Sequence, residues 1–292
     1  MRYPEKIDLH MHTTVSDGTD TPAELAERVR EAGITLFSVT DHDAVKGCRE
    51  LLKADGIPHF ITGVEFSCRD GEGSYHILGY DYDARSAPIN EAVARGHALR
   101  LEKLRRRLGF LSEKFGFTFG EEDVRRLGKL YNPGKPHIAN MMVEYGYAET
   151  KEQAIKDCLN KLRTGGGYIP PEEAIAAIRA SGGVPVLAHP SFGRGDELIT
   201  GGDMDRRLRR LIGFGLEGVE AFYSGFTPGL RDEMLGFAER YGLYVTAGSD
   251  YHGKNKSVRL GETGLTSPDG YPEGLIRFLH RVGWDNNTGG NI

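Results

Sequence analysis

The chain has 292 residues, of which 39% are hydrophobic and 27% are charged, a composition typical of a globular protein large enough to bury an ample core. Its formal net charge of −5 provides no bulk electrostatic attraction for long nucleic acids. No apolar run approaches the roughly 18 residues of a membrane span and the N-terminal segment lacks a signal-peptide profile, so we expect a cytoplasmic protein with no membrane partner.

The cysteines predict free thiols rather than a disulfide framework. Cys48, Cys68 and Cys158 are odd in number, widely spaced and outside any CxxC pattern. Such spacing is typical of ordinary thiols in a reducing compartment. Nothing in the composition specifies an oligomeric state.

Short runs rich in Val, Ile, Leu and Phe alternate with amphipathic helical segments over most of the chain. The predicted strands are 6–10, 35–40, 59–67, 75–82, 184–189, 218–222 and 243–249. The helices between them show the usual end signals: Thr21 and Pro22 begin one helix, for example, and Gly33 ends it. This alternation predicts an α/β fold with a parallel sheet or barrel rather than a sandwich.

The alternation stops between Asp83 and Gly167, where the sequence becomes helical. A helical block between two barrel strands predicts an inserted subdomain, 83–167, that contributes substrate contacts. The segments 1–82 and 168–285 would then form a single barrel with a single site. We predict a flexible tail at 286–292.

The segment KIDLHMHTTVSDGTDTP, Lys6 to Pro22, places two histidines at the end of the first predicted strand. Residues i and i+2 of a strand point to the same side, so His10 and His12 can converge on one point. Asp17 follows in the next loop. This is a chelating arrangement.

Other predicted strands carry imidazoles or carboxylates at or near their ends. They are Asp41, His42, Asp43, Glu65, His76, His189, Asp250 and His252. Each alone could be a core or surface residue, and we assign no role to the isolated His59, His97 and His280. In a parallel α/β barrel, however, the C-terminal ends of the strands meet at one rim. The shared position therefore predicts a metal site.

The number of candidate ligands predicts more than one ion. It exceeds the roughly four ligands of a single catalytic zinc. Imidazole together with carboxylate suits Mn, Zn or Fe better than the oxygen-only sites of Ca or Mg. A glutamate such as Glu65 can bridge two cations through its two oxygens.

Five motifs in combination resemble those of the PHP (polymerase and histidinol phosphatase) family of the amidohydrolase superfamily. They are DLHMHTTVSDG, VTDHD, TGVEFS, LAHP and GSDYH, and they extend from Asp8 to His252. The resemblance implies a distorted (β/α)7 barrel and a trinuclear site that holds two or three divalent transition-metal ions. It also implies hydrolysis of phosphate esters.

The resemblance implies a ligand set for each ion. The first set is His10, His12, Glu65 and Asp250. The second set is Glu65, His76 and His189. The third set is Asp17, His42 and His252. Asp17 stands where some relatives have histidine.

The segment NPGKPHIAN in the insert resembles a basic-Pro-His motif of PHP phosphatases that act on nucleotides and related small phosphorylated molecules. Lys135 and His137 would then contact the substrate phosphate, with Lys135 in place of the arginine of many relatives. Arg194 in HPSFGRG is a further candidate phosphate contact. Without the resemblance, Lys135 and His137 would be interpreted as surface residues of the insert.

The implied reaction is the hydrolysis of nucleotide or sugar phosphates, as monoesters or cyclic diesters, by a hydroxide that bridges two ions. Two cations about 3.5 to 4 Å apart lower the pKa of a bridging water and bind substrate oxygens. Glu65 and Asp250 would be catalytic through the ions, and His137 would protonate the leaving group, with His252 as the alternative acid. We expect Asp41 and Asp43 to orient ligand imidazoles.

Other functions stay open at this point. An exonuclease could trim short nucleic-acid ends, but we interpret the basic segment 100–110 as the solvated face of a helix, and we expect a small-molecule phosphate ester as the substrate. A non-catalytic, metal-binding regulatory module would have lost ligands, and none of the expected ones is missing. Hydrolysis of C–N bonds, as in other amidohydrolases, is a third possibility.

Overall fold

The computed structural model describes residues 3–162, 167–193 and 197–284. Seven strands form one sheet in chain order. They are β1 (Ile7–Asp8), β2 (Leu36–Val39), β3 (His59–Arg69), β4 (Ser74–Tyr80), β5 (Val184–Leu187), β6 (Gly218–Tyr223) and β7 (Tyr244–Gly248). Each lies within or overlaps a strand predicted from the sequence.

The sheet curls until its two edge strands meet. The amide of Leu9, just after β1, donates to the carbonyl of Ala247 in β7 at 2.9 Å. Beyond the strands, the amide of Asp250 donates to the carbonyl of His10 at 2.7 Å. These bonds nearly close the barrel, which confirms the predicted distorted (β/α)7 architecture.

One strand runs against the others. β4 is antiparallel to β3 and β5, whereas the remaining neighbours in the sheet are parallel. The expectation of parallel strands throughout is therefore wrong for β4, because residues 70–73 form a connection too short for a parallel crossover. The reversal places the start of β4, including His76, at the rim where the other strands end.

Helices cover the outside of the barrel and form the insert. They are α1 (Pro22–Glu31), α2 (Lys46–Leu51), α3 (Ala87–Phe115), α4 (Glu121–Gly128), α5 (Lys135–Glu144), α6 (Lys151–Asp157), α7 (Pro171–Ala180), α8 (Gly201–Phe214), α9 (Pro228–Tyr241) and α10 (Glu273–Arg281). Short 3-10 helices occupy Leu159–Lys161, Gly253–Asn255 and Pro268–Gly270. The start of α1 has the predicted cap, since the side chain of Thr21 accepts from the Glu24 amide.

The insert has a hydrophobic core of its own. Leu104 and Leu111 of α3 pack with Ile138 and Met142 of α5, apart from the core of the barrel. The first turns of α3 instead pack against the barrel core, through Ile89. This long helix therefore connects the two cores. The exact division at residues 83 and 167 stays a prediction, and the predicted tail, 286–292, lies outside the described residues.

Two further expectations concern the whole chain. Cys48, Cys68 and Cys158 are buried free thiols, as predicted. None of the helices within the described ranges combines the length and the apolar character that crossing a membrane requires.

Candidate metal centre

The predicted ligands lie together at one rim of the barrel. They are His10, His12, Asp17, His42, Glu65, His76, His189, Asp250 and His252. Most stand just beyond the C-terminal ends of β1, β2, β5 and β7, while Glu65 lies within β3 and His76 lies near the start of the reversed β4. The structure brings together every one of these side chains, and their role as metal ligands stays a prediction.

Glu65 lies at the centre of the group and is 1% exposed. Its Oε2 lies 3.4 Å from His10 Nε2, 3.2 Å from His12 Nε2 and 2.9 Å from His42 Nδ1. Its Oε1 lies 2.8 Å from His76 Nδ1 and 3.3 Å from His189 Nε2. The two oxygens thus face two different sets of imidazoles, as a bridging carboxylate must.

Two aspartates, Asp250 and Asp17, complete the group of predicted ligands. Asp250 Oδ1 lies 3.6 Å from His10 Nε2 and 3.5 Å from His12 Nε2. Asp17 Oδ1 lies 3.3 Å from His252 Nε2. These contacts match the first and third ligand sets implied by the family resemblance.

His42 is placed between two sets. Its Nε2 lies 3.8 Å from Asp17 Oδ2, in agreement with the third set. Its Nδ1 faces Glu65, and His42, Glu65 and His76 also form a compact group of possible donors. The two ring nitrogens of His42 therefore contact both the Asp17 and the Glu65 sides of the centre.

Several donor atoms at the centre are buried and lie close to one another, but none of them makes a hydrogen bond of acceptable geometry with a described residue. They are His10 Nε2, His12 Nε2, Asp17 Oδ1, His42 Nδ1 and Glu65 Oε2. A buried polar atom left without a partner costs about 1–3 kcal/mol. Donors bound at about 2.1 Å to one ion lie about 3.0–3.4 Å apart, close to the distances around Glu65 Oε2. The residues therefore fit a group of divalent ions.

Burial and neighbouring charges shift the pKa values of these ligands in opposite directions. Burial lowers the pKa of both His10 and His12. The carboxylates of Glu220, Glu65 and Asp250 outweigh that effect at His10 and raise its pKa well above the usual value. At His12 the neighbouring imidazoles add to the effect of burial and hold the pKa well below it. The chain therefore keeps His12 neutral, the form that binds metals.

Glu220 in β6 contacts two ligands and was missed from the sequence. Its side chain is fully buried. Oε1 accepts from His10 Nδ1 at 2.9 Å, and Oε2 accepts from the backbone amide of His189 at 2.7 Å. The first bond directs His10 Nε2 toward the centre. The available signal was a lone acidic residue inside the otherwise apolar strand segment GVEAF.

In the described structure Asp43 does not contact a ligand imidazole, contrary to expectation, and Asp41 reaches one only through Ser16, whose hydroxyl lies 3.4 Å from His12 Nδ1. Asp41 accepts from the amide and hydroxyl of Thr13, at 2.8 and 2.7 Å, and from the hydroxyl of Ser16. Asp43 forms an ion pair with Arg100 of α3 and accepts from the amide of Ser67. Asp41 thus fixes the loop that carries Asp17, and Asp43 fastens the insert to the rim.

Two predicted ligands have an unusual backbone. His189 has a φ of 28° and Asp250 a φ of 59°. Left-handed backbone at residues other than glycine is uncommon and concentrates at functional sites. The side chain of Asp250 is also held at Oδ2, by the Tyr223 hydroxyl at 3.0 Å and by Lys256 Nζ at 2.6 Å. Its Oδ1 is thereby left to face the imidazoles.

The predicted substrate contacts of the insert begin next to the centre. The Asn132 side chain donates to the carbonyl of His42 at 2.7 Å, so the segment that precedes α5 lies against the loop of a predicted ligand. Lys135 donates to Asn160, and His137 Nδ1 accepts from the amide of Gly134 at 3.1 Å. Burial lowers the pKa of His137. Arg194 lies outside the described residues.

A basic face of α3 was also missed. Arg100, Lys103 and Arg107 share one side of the helix, and both Lys103 and Arg107 are only 7% exposed. Within the described ranges, neither Lys103 nor Arg107 has an acidic partner. The interpretation of 100–110 as one solvated face is therefore wrong for these side chains, although the helix itself is confirmed.

The pKa of Lys103 reflects this setting. Burial, together with the positive charges of Arg107, Arg100 and Lys135, lowers it to about 6. Its Nζ lies 3.5 Å from the centre of the Tyr168 ring. A lysine with these neighbours would gain its proton when an anion such as phosphate binds beside it.

Comparisons with known proteins agree with this geometry. The sequence model of the family described as PHP domain matches residues 8–162. A 5'-3' exoribonuclease Rnm of Salmonella typhimurium is 30% identical over 268 residues, which cover 89% of this chain and 89% of the relative. A 3',5'-nucleoside bisphosphate phosphatase of Chromobacterium violaceum is 30% identical over 265 residues, which cover 87% of this chain and 89% of the relative.

A solved structure shares the fold over most of the chain. The crystal structure of a candidate metal-dependent phosphoesterase from Bifidobacterium adolescentis superposes with a TM-score of 0.79 at 34% sequence identity. The alignment covers 96% of this chain and 98% of the other. The similarity therefore includes both the barrel and most of the inserted helices.

Proposed function

The chain belongs to the PHP domain family, and we propose that it is a metal-dependent phosphoric ester hydrolase for small nucleotide or sugar phosphates, as monoesters or cyclic diesters. The observation that carries this proposal is the group of buried imidazole and carboxylate donors around Glu65 that make no hydrogen bond of acceptable geometry with a described residue. Mixed nitrogen and oxygen donors favour Mn, Zn or Fe.

The donors divide into sets for two or three ions. His10, His12, Glu65 and Asp250 would hold the first ion. Glu65, His76 and His189 would hold the second. Asp17, His42 and His252 would hold the third. Glu65 is shared because its two oxygens face different imidazoles.

When bound, divalent ions neutralise charge on phosphoryl oxygens and lower the pKa of water, which supplies a nucleophile near neutral pH. The side chains of this protein position the reacting groups. Glu220 and Tyr223 fix His10 and Asp250, so these ligands need no rearrangement during the reaction.

The insert supplies the contacts to the substrate. Lys135, Lys103 and Arg107 would bind phosphate oxygens, because they lie close enough to lower one another's pKa and have no acidic partner within the described ranges. His137 would donate a hydrogen bond to an ester oxygen from Nε2, since its Nδ1 accepts from the Gly134 amide; the predicted role as acid would need an imidazolium, which this bond and burial both disfavour. Arg194 stays a predicted phosphate contact.

A second candidate function is removal of nucleotides from short nucleic-acid ends. The buried basic face of α3 favours it, because Arg100, Lys103 and Arg107 could contact the backbone phosphates of a short strand. A relative with 30% identity is named as a 5'-3' exoribonuclease. The net charge of −5 still disfavours capture of long nucleic acids.

A manganese-supplemented hydrolysis screen that quantifies all products, both inorganic phosphate and phosphorylated molecules, separates these functions. The substrates are nucleoside monophosphates and bisphosphates, sugar phosphates, cyclic phosphodiesters and short 5′-phosphorylated RNA. We expect hydrolysis of small esters that falls to background in Glu65→Gln and persists in Glu102→Gln, which changes an exposed glutamate of α3. Release of mononucleotides from RNA alone would favour the second function. Absence of hydrolysis of every ester by metal-loaded protein would contradict both.

A further inference from the structure

An exposed tyrosine lies at the edge of the candidate site, where the packing of the fold does not require a large aromatic side chain. Tyr131 is 49% exposed. It precedes Asn132, whose side chain donates to the carbonyl of His42 at 2.7 Å. The ring of Tyr131 therefore lies beside the loop that carries a predicted metal ligand. Within the described ranges, its hydroxyl makes no hydrogen bond.

The surroundings of this ring combine a cation with a second aromatic ring. Lys46 Nζ, at the start of α2, lies 5.3 Å from the ring centre of Tyr131. The imidazole of His97 lies 6.3 Å from it, centre to centre, and its Nδ1 contacts the carbonyl of Tyr131 at 2.7 Å. The tyrosine thus lies between the barrel and α3, since its carbonyl contacts His97 of α3 and its ring lies beside Lys46 of α2.

The other aromatic group at this rim is less available. Phe192, Tyr223 and Phe226 pack on one another with ring centres 5.4–5.7 Å apart. The Tyr223 hydroxyl is occupied by Asp250. Their rings already support one another and a predicted ligand, whereas the ring of Tyr131 is half exposed beside the imidazole of His97.

An aromatic ring beside a cation, next to a phosphate site, is the combination by which proteins bind nucleotides without base-specific hydrogen bonds. We propose that Tyr131, with Lys46 and His97, forms a nucleobase-binding site that makes the protein select nucleotides over sugar phosphates. The proposal rests on the proposed function, because the base must belong to an ester whose phosphate occupies the metal centre. A sugar phosphate has no planar group to stack on this ring.

Steady-state kinetics with a matched pair of esters tests the proposal. The pair is adenosine 3′,5′-bisphosphate and its base-free counterpart, 1-deoxyribose 3,5-bisphosphate. In Tyr131→Leu we expect the KM for the nucleotide to rise about 5–150-fold, since stacking contributes about 1–3 kcal/mol per base. The KM for the base-free ester should not change. Tyr131→Phe keeps the ring and should behave like the wild type for both.

Equal effects of Tyr131→Leu on the two esters, or no effect on either, would overturn the proposal. Calorimetric binding of both esters in EDTA gives a readout that needs no turnover. If wild-type protein hydrolyses neither ester, the proposed function fails, and the binding difference between Tyr131→Leu and Tyr131→Phe still decides whether the ring recognises a base. Loss of nucleotide binding in both variants would show a role for the hydroxyl and would also overturn the proposal.

Discussion

The barrel rim and the insert differ in how well the sequence alone locates their functional side chains. At the rim, the functional side chains stand at strand ends, and strand ends of a barrel meet by construction. In the insert, Lys103 and Arg107 stand in the middle of a 29-residue helix that also exposes Arg105 and Arg106. The position of the site in a barrel can therefore be predicted from the topology alone. For a long helix, the prediction also requires knowing which face other elements cover.

The two regions also use charge differently. Around Glu65, carboxylates and imidazoles compensate one another over distances of 2.8–3.4 Å. On α3, Lys103 and Arg107 are buried without such compensation in the described structure. Cations would bind the unpaired donor atoms of the first arrangement, and an anion would pair with the basic side chains of the second. A phosphate ester bound between metal ions and the insert would satisfy both.

The largest effect should come from the centre of the rim. Glu65→Gln replaces one oxygen by an amide NH2 that cannot bind a cation, so the two sets of imidazoles lose their common ligand. We expect kcat/KM to fall at least about 1000-fold, or about 4 kcal/mol. Elemental analysis should show fewer ions per chain, and added manganese should raise the Tm less than in the wild type.

The control for this change is Glu50→Gln on α2, which alters a surface carboxylate paired with Lys46. It should keep the metal content of the wild type. A Glu65→Gln protein that retained all its ions and its turnover would refute the bridging role and, with it, the assignment of this rim as the centre of the site.

A smaller effect should come from Glu220, which supports the rim without facing it. In Glu220→Gln, the amide can accept from only one of its two donors, because its NH2 must then face either His10 Nδ1 or the His189 amide. We expect metal affinity to weaken about 10–100-fold. Titration with manganese, followed by calorimetry, measures the change. Glu217→Gln, which changes a partly exposed neighbour paired with Arg179, should leave the affinity unchanged.

Identical manganese affinities of Glu220→Gln and the wild type would show that the buried carboxylate serves the fold alone.

The strands and Glu220 show which features of this protein can be predicted from the sequence alone and which cannot. Every strand was predictable because apolar runs and turn signals coincide, and His10 and Glu65 because they stand near strand ends. Glu220 was not, since one acidic residue inside a strand has the same pattern whether it faces solvent or a ligand.

The direction of β4 and the basic face of α3 were missed for different reasons. The short connection 70–73 indicates a hairpin between β3 and β4. The alternation of strands and helices elsewhere in the chain had favoured parallel strands instead. For α3, helical periodicity does place Arg100, Lys103 and Arg107 on one side, but arginines on the other side follow the same period. Only tertiary packing determines which side is covered.

The insert offers a change that separates stability from function. In Lys103→Met, the loss of a cation should raise the KM for phosphate esters about 10-fold. The same change should stabilise the fold by about 1–2 kcal/mol near neutral pH, because it removes a buried amine that is neutral in the folded chain and takes up a proton on unfolding. Thermal unfolding and initial-rate kinetics measure the two effects. Lys129→Met, at an exposed position of the insert, should change neither.

The stabilisation should depend on pH with a defined sign. The pKa of Lys103 is lowered from 10.5 to about 6 in the folded chain, so the unfolded chain binds the extra proton between these values. Unfolding is therefore favoured more strongly at the lower end of this window. The gain in Tm from Lys103→Met should be largest near pH 6 and should shrink toward pH 10. A gain that grew with pH would contradict a buried, neutral lysine.

The smallest effect should come from the bond that joins the two regions. Asn132→Ala removes the donor to the His42 carbonyl, and it leaves that carbonyl without this partner. We expect a loss of about 1 kcal/mol, seen as a Tm lower by about 2–4 °C, and a KM raised a few-fold with little change in kcat. Asn140→Ala, at an exposed position of α5, is the matched control. If the insert were held on the rim by Asp43 and Arg100 alone, both alanine variants would have the same KM, and the bond to His42 would only stabilise the fold.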